Sequence, residues 1–346
     1  MFNVSDNSEF FKEDLKNISN KGSLFEDLHS LMSSDMLLVD KLILERIESK
    51  AELISKLASY IMATGGKRLR PLLALASARL CGYTGTGHCP IAAGIEFLHT
   101  ATLLHDDVVD GSVLRRGKLC ANVVFGNKAS ILVGDFLFSR SFDLLIKGNS
   151  IKVLGVLANT ASIIAEGEIL QLEVSNNIAI TEAQYLEIIR SKTAELFSAT
   201  CQIGAIVSDA KKEQEDALAK YGLNLGIAFQ IIDDTLDYEA EEGTFGKKIG
   251  HDFIEGKITL PVILAVKQSS ASEIKSWQKM FSAGERSEKD LSKALALLKK
   301  YKANDASLEY AKRYGETAKK ALNIFKDSPL KEALLKIVDD TIYRNF

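Results

Sequence analysis

Two stretches of this chain combine features that oppose each other in an ordinary helix. Residues Leu103-Leu104-His105-Asp106-Asp107-Val108-Val109-Asp110 run from apolar residues into three carboxylates, and Gly111 then releases the chain. In a helix, Asp106 and Asp110 stand one turn apart on one face, with Asp107 beside them. Like charges at that spacing repel, and acids near a helix C-terminus oppose its dipole. Phe229-Gln230-Ile231-Ile232-Asp233-Asp234-Thr235-Leu236-Asp237 repeats the pattern. One copy alone would pass for a solvated helix end; two, each after an apolar run, require cations to neutralise them. Carboxylate oxygens suit hard ions, and Mg²⁺ commonly binds through one or two carboxylates together with substrate phosphates. Two such clusters facing each other would clamp a diphosphate through several Mg²⁺ ions.

The rest of the chain predicts helices to carry these motifs. Four prolines (Pro71, Pro90, Pro261, Pro329) interrupt 346 residues, and good helix formers dominate between them. The expected fold class is therefore all-α. Length alone suggests about two domains, but neither a repeat nor a linker divides the chain. The expectation is a polar tail over residues 1–22 and one helical domain over 23–346. A net charge of −3 gives no reason to expect a nucleic-acid partner. Cys81, Cys89, Cys120 and Cys201 form no C-x-x-C pair and read as small buried thiols in a reducing cytoplasm. The N-terminus resembles neither a secretory signal nor a transit peptide. The most apolar long window, Ile151 to Leu172, carries Lys152, Glu166 and Glu168, and is expected to be a buried helix and not a transmembrane segment.

In chain order, the periodicity predicts an amphipathic helix pair between Leu24 and Ala63, stopped by Gly65-Gly66. Gly65-Gly66-Lys67-Arg68-Leu69-Arg70-Pro71 then packs three cations between a glycine pair and a helix-starting proline. By itself this is a basic turn; beside two acidic clusters it makes sense as a phosphate grip, with Arg70 offering a fork. His99 lies two turns before Asp106 on a similar face, and a lone histidine there, like His105, is usually a core or boundary residue. From Lys128 to Leu145 the pattern is apolar on most sides, so that helix must be buried all round, centrally or in a subunit interface. Helices follow at about 150–174, 181–208 and 213–239. A glycine-punctuated loop with Lys247 and Lys257 follows the second cluster and looks like a lid over an anionic ligand.

Taken together, Gly65-Gly66-Lys67-Arg68-Leu69-Arg70-Pro71, the first acidic motif with Arg115-Arg116-Gly117, and the second with Gly246-Lys247 and Gly256-Lys257 resemble the trans-isoprenyl diphosphate synthases. The resemblance spans roughly residues 30 to 345 and is greatest to the bacterial octaprenyl and decaprenyl diphosphate synthases. One departure is Gly111-Ser112-Val113, where close relatives often carry an acidic residue; this loosens the turn more than the metal site. The resemblance implies one bundle of long helices around a deep cavity, usually as a homodimer. It implies catalytic roles for Asp106, Asp107, Asp110, Arg115, Lys192, Asp233, Asp234 and Lys247, and roughly three Mg²⁺ ions per site, held by Asp106, Asp110 and Asp233. Arg115, Lys192, Thr193, Gln230, Lys247 and Lys257 would hold an allylic diphosphate; Lys67, Arg70, His99 and Arg116 would hold isopentenyl diphosphate. It further implies a cytoplasmic enzyme supplying a quinone side chain, with transient membrane contact through its apolar product.

Product length is the next expectation. Helical side chains lean toward the N-terminus, so a growing hydrocarbon headed at Asp106 must pass Thr102 and Ala101. Both are small, which leaves a tunnel open, with Phe138 or Phe142 as candidates for its floor. Three other readings stay open at this point. A terpene cyclase would normally carry an Asn/Ser/Glu-type second motif and would lack the Lys67/Arg70 grip. A non-catalytic subunit of a heteromeric synthase usually loses the acidic motifs. A helical Mg²⁺- or Ca²⁺-binding scaffold leaves the clustered cations unexplained.

Overall fold

The computed structural model describes residues 25–63, 66–147, 150–239, 249–282 and 286–344. The expected tail over residues 1–22 lies outside them, as do Gly65 and the Gly246-Lys247 part of the expected lid. The architecture is all-α. Long helices carry both acidic motifs: His88–Val109 ends at the first and Lys212–Leu236 at the second.

The first-motif helix packs mainly against Asn127–Lys147. Small residues let the two approach: a Cβ on Gly94 would lie 3.1 Å from the Ser141 carbonyl oxygen, and one on Gly134 would strike the His105 ring. His105 is thus a helix–helix contact, its Nε2 3.1 Å from the Ile131 carbonyl oxygen. The second-motif helix lies against Glu195–Val207 and Ala303–Ala321 and runs between two apolar cores. Leu218, Tyr221 and Leu225 belong to the larger core, with Leu98, Ala101 and Leu104 of the first-motif helix. Ala228, Ile231 and Ile232 belong to the smaller one, with Phe253, Trp277 and Phe281. Each motif therefore emerges from a buried helical face, which fixes where its carboxylates can stand.

Three differences from the sequence expectations have physical causes. The expected pair between residues 24 and 63 is three helices, Glu26–Leu31, Ser33–Ile47 and Glu52–Ala63, because the chain breaks at Met32. A two-stranded hairpin, Leu114–Arg115 with Lys118–Leu119, follows the first motif. Its turn holds Arg116 at φ 53° and Gly117 at φ 75°, the paired left-handed conformation that matches hairpin twist. The helix Ile151–Glu173, expected to be buried, has only 28% of its most apolar window buried. The apolar helix Asn127–Lys147, expected to be covered centrally or in a subunit interface, buries Val133, Leu137 and Leu144 and leaves Leu132 67% and Ile146 63% exposed within the chain. Polar residues at buried positions and apolar ones at exposed positions separate burial from composition here.

Candidate active site

The two aspartate motifs are built alike. In each, the second aspartate turns inward. Asp107 is 1% exposed and accepts a fork from Arg115, with Nη2 at 2.7 Å and Nε at 3.0 Å. The hairpin makes this possible by swinging Arg115 back onto the helix end, and Asn122 ties the turn by donating to the carbonyls of Asp107 and Ser112. That tether also fixes the Gly111-Ser112-Val113 turn. Asp234 is 5% exposed and accepts from the Tyr185 hydroxyl at 2.6 Å and the Gln230 amide at 2.7 Å. Thr193 donates to the Gln230 carbonyl oxygen at 2.8 Å, extending the network. Burial is the main cause that pushes the Asp234 carboxyl up to about 7, against the help of its two donors.

The other carboxylates are less buried and meet cations or backbone N–H groups. Burial, with Glu168 and Asp110 nearby, pushes the Asp106 carboxyl up to about 7, opposed by Lys192 and Arg115. Asp110 accepts from Lys257 at 2.8 Å. Asp233 pairs with Arg344, whose guanidinium lies 4.2 Å from the Phe229 ring centroid. Asp237 accepts from the backbone N–H groups of His251 and Asp252, at 3.2 and 3.0 Å.

Lys192 and Thr193 sit on a π-helical turn, Arg190–Ala194, inside the otherwise α-helical stretch from Glu182 to Val207. Such bulges mark functional sites. The Lys192 side chain is only 17% exposed, 2.6 Å from Glu168 and 2.8 Å from the Gln171 side-chain oxygen.

A second cluster lies across the first-motif helix, in a cleft open to solvent and lined by Gly66, Glu96, His99, Arg115 and Arg116. A Cβ on Gly66 would fall 2.7 Å from an Arg116 nitrogen, so the glycine admits the guanidinium. Arg70 donates to His99 Nε2 at 2.9 Å and stands 4.5 Å from the Phe197 ring centroid. Burial, then the charges of Arg70, Arg116 and Arg115, hold His99 well below its ordinary value, so it is a neutral acceptor. Burial brings Arg70 down to about 10, which leaves it charged. Glu96, the acid in this cleft, is pushed up by burial. Lys67 is exposed, 5.5 Å from the Phe25 ring centroid.

The structure thus gathers Asp106, Asp107, Asp110, Arg115, Lys192 and Lys257 around the first motif, Asp233, Asp234, Thr193 and Gln230 around the second, and Arg70, His99 and Arg116 in the basic cleft. Lys247 lies outside the described residues. Ala101 is 1% exposed in the larger core, and Thr102 spends its hydroxyl on the His99 carbonyl at 2.8 Å. Phe138, a candidate cavity floor, is instead 37% exposed, edge-on to Phe142. Glu168, Gln171, Tyr185, Glu96 and Arg344 belong to no motif that sequence singled out. Only folding brings them to the site, and a lone arginine near the C-terminus carries no local signal.

Oxygen is the only donor type these motifs offer, and the Asp106 carboxyl is held up by burial and then by the acids beside it, which a cation would offset. The donor set therefore fits a hard divalent ion. Among the described residues, the one group of three metal-capable side chains converging within 4.8 Å is Asp35, His88 and Cys89. Arg79 already forks onto Asp35 there, at 2.7 and 2.8 Å. The motif carboxylates stand further apart, as suits an ion completed by phosphate oxygens.

Comparison with known proteins agrees with this geometry. The model of the family described as "Polyprenyl synthetase" matches residues 51–298. The chain is 42% identical over 320 residues to an octaprenyl diphosphate synthase of Escherichia coli, covering 92% of this chain and 99% of that one. A Caulobacter crescentus polyprenyl synthase complexed with calcium and isoprenyl diphosphate superposes with a TM-score of 0.90 at 45% identity, over 94% and 99% of the two chains. A decaprenyl diphosphate synthase from Rhodobacter capsulatus gives 0.88 at 44%, over 92% and 98%. With its paired motifs, basic cleft and helical frame, the chain belongs to the polyprenyl synthetase family and is a prenyltransferase.

Proposed function

We propose that this chain is a long-chain trans-polyprenyl diphosphate synthase, octaprenyl or decaprenyl, that adds isopentenyl diphosphate repeatedly to an allylic diphosphate such as farnesyl diphosphate. One observation carries the reading: the chain holds two anion sites of opposite construction. The motif site is carboxylate-rich and edged by Lys192, Lys257 and Arg115. The other is a cationic cleft around Arg70, His99 and Arg116. A carboxylate-rich site takes a diphosphate through metal; a cationic cleft takes one directly. An enzyme joining two diphosphates needs both.

Mg²⁺ held by Asp106, Asp110 and Asp233 would supply electrostatic stabilisation of the leaving pyrophosphate. Lys192, Lys257 and Arg115 add positive charge on the same side; the family resemblance assigns Lys247 the same role. When the allylic C–O bond breaks, its electron pair stays with pyrophosphate, and these cations hold that charge in place. Lys67, Arg70, His99 and Arg116 orient isopentenyl diphosphate so that its double bond faces the allylic cation. The new C–C bond leaves a tertiary cation, which loses a proton to the departed pyrophosphate. Asp107 and Asp234 act from behind by fixing Arg115 and Gln230.

Small residues at Ala101 and Thr102 support a long product, and a quinone side chain is its destination in a bacterial cytoplasm. Incubation with farnesyl diphosphate, labelled isopentenyl diphosphate and Mg²⁺ should give a ladder ending in a long polyprenol. Ala101→Phe should shorten it. A folded, metal-replete protein that extends nothing would refute the assignment, and an unchanged ladder in Ala101→Phe would refute the tunnel.

A further inference from the structure

The segment Gly250 to Lys257 joins the two aspartate motifs. At its start, the N–H groups of His251 and Asp252 donate to the Asp237 carboxylate, and Gly250 donates to the Asp237 carbonyl at 2.8 Å. At its end, the Lys257 ammonium donates to Asp110 and to Glu255, each at 2.8 Å. Between them runs a short helix, His251–Glu255, pinned inward by Phe253, which is fully buried with its ring 5.2 Å from that of Phe281. Where Lys257 points depends on how the end of this segment is held.

Two residues outside the site hold it. Arg286 donates through Nη1 to the Ile254 carbonyl at 2.9 Å and through Nη2 to the Asn176 side-chain oxygen. The Asn176 N–H donates to the Gly256 carbonyl at 3.0 Å. Gly256 turns at φ 81°, and a Cβ there would lie 2.3 Å from the Asn176 oxygen and 2.8 Å from the Arg286 nitrogen. The Arg286 guanidinium also covers the Phe281 ring at 5.1 Å. Asn176 itself sits at φ 62°, a conformation asparagine tolerates better than most residues. It follows the helix Ile151–Glu173, whose Glu168 and Gln171 hold Lys192.

We infer that Arg286 and Asn176 form a latch whose work is to set Lys257 against Asp110, at a fixed spacing from Lys192. They are positioning residues for the metal-bound diphosphate. The inference rests on the reading of that site given above. It adds two residues from irregular segments that no motif includes. The chemistry is straightforward: Arg286 and Asn176 satisfy carbonyls at the C-terminal end of a one-turn helix, groups that would otherwise be free to rotate. A small misplacement of a charged group is amplified in binding.

The test is a double-mutant cycle read by calorimetric binding of pyrophosphate in the presence of Mg²⁺ and by steady-state kinetics. Arg286→Ala should weaken pyrophosphate binding and raise KM for the allylic substrate about tenfold, with KM for isopentenyl diphosphate unmoved. Lys257→Ala should do the same. If the latch acts through Lys257, the double variant is no worse than Lys257→Ala. Additive losses, or a lower Tm with unchanged binding, would overturn the latch. Asn176→Gly keeps the positive φ and the backbone N–H that bonds Gly256 while removing the side-chain amide that Arg286 grips, so it repeats the test should Arg286→Ala fail to fold. Wild-type protein that binds pyrophosphate but elongates nothing would count against the reaction and leave the cycle to decide the latch by binding alone.

Discussion

Asp107 and Asp234 occupy the same place in their motifs, and both have left the surface that the motifs present. A sequence shows three carboxylates and gives no reason to separate them; the structure divides them into less buried groups able to bind a cation and inward ones that hold Arg115 and Gln230. Removing one partner of a buried ion pair costs about 3–5 kcal/mol, so Asp107 matters to the fold as well as to the site. His99 carries a residue-scale prediction. Its folded pKa lies well below 6.5 because it is buried among Arg70, Arg116 and Arg115. As pH falls through the unfolded value, the unfolded chain takes up a proton that the folded one refuses. Stability contributed by this site is therefore full at neutral pH and declines as pH drops below about 6.5. Denaturant titrations between about pH 7.5 and 5.5 should show the decline, and His99→Gln should flatten it. An unchanged slope in that variant would assign the decline elsewhere.

At the scale of elements, the π-helical turn Arg190–Ala194 decides where Lys192 and Thr193 project. It is gripped from both sides by glycines. A Cβ on Gly167 would lie 2.7 Å from that of Ser191, and one on Gly226 would lie 2.6 Å from the Ala194 Cα. Neither neighbour is the end of a flexible side chain, so the helices would have to part. Gly226→Ala should cost about 1–3 kcal/mol of stability. Because the turn carries Lys192, it should also raise KM for the allylic substrate. Thermal unfolding and kinetics on the same preparation check both halves; a variant as stable and active as wild type would mean the packing is looser than it stands here. The periodicity predicts a helix over 181–208, and a helix is found, but one extra residue in one turn rotates everything after it. No hydrophobic pattern announces such a bulge, because the neighbours that stabilise it come from distant segments.

For the whole molecule, the unpartnered apolar faces are the main feature left by the fold. Leu132 and Ile146 on one helix and Ile151, Ile169 and Leu172 on the next are 58–87% exposed apart from Leu172 at 57%. Helices this apolar on their outer side are stable in water when a second surface covers them, and a second copy of the chain is the partner we propose. Leu132→Glu should then convert a dimer to a monomer in sedimentation velocity. A wild-type chain that sediments as a monomer would sink the proposal. The same faces show why composition alone does not report burial: helix Ile151–Glu173 is apolar enough for a core, yet only 28% of its most apolar window is buried within the chain.

The sequence by itself determined the helical class, the two aspartate motifs and the cationic turn at Lys67 to Arg70. These rest on short-range spacing, which a linear chain displays in full. It also marked Arg115, Arg116 and Lys257 through their place beside those motifs. Tertiary structure alone decided which aspartates turn inward, how a hairpin sends Arg115 to Asp107, and how Glu168 and Arg344 reach the site. It alone set the bulge under Lys192 and the contacts that steady Lys257. Each of these joins residues far apart in the chain, such as Arg344 and Asp233 or Arg286 and Asn176. Such pairs have no period in the sequence, and packing of the helices between them sets their distance.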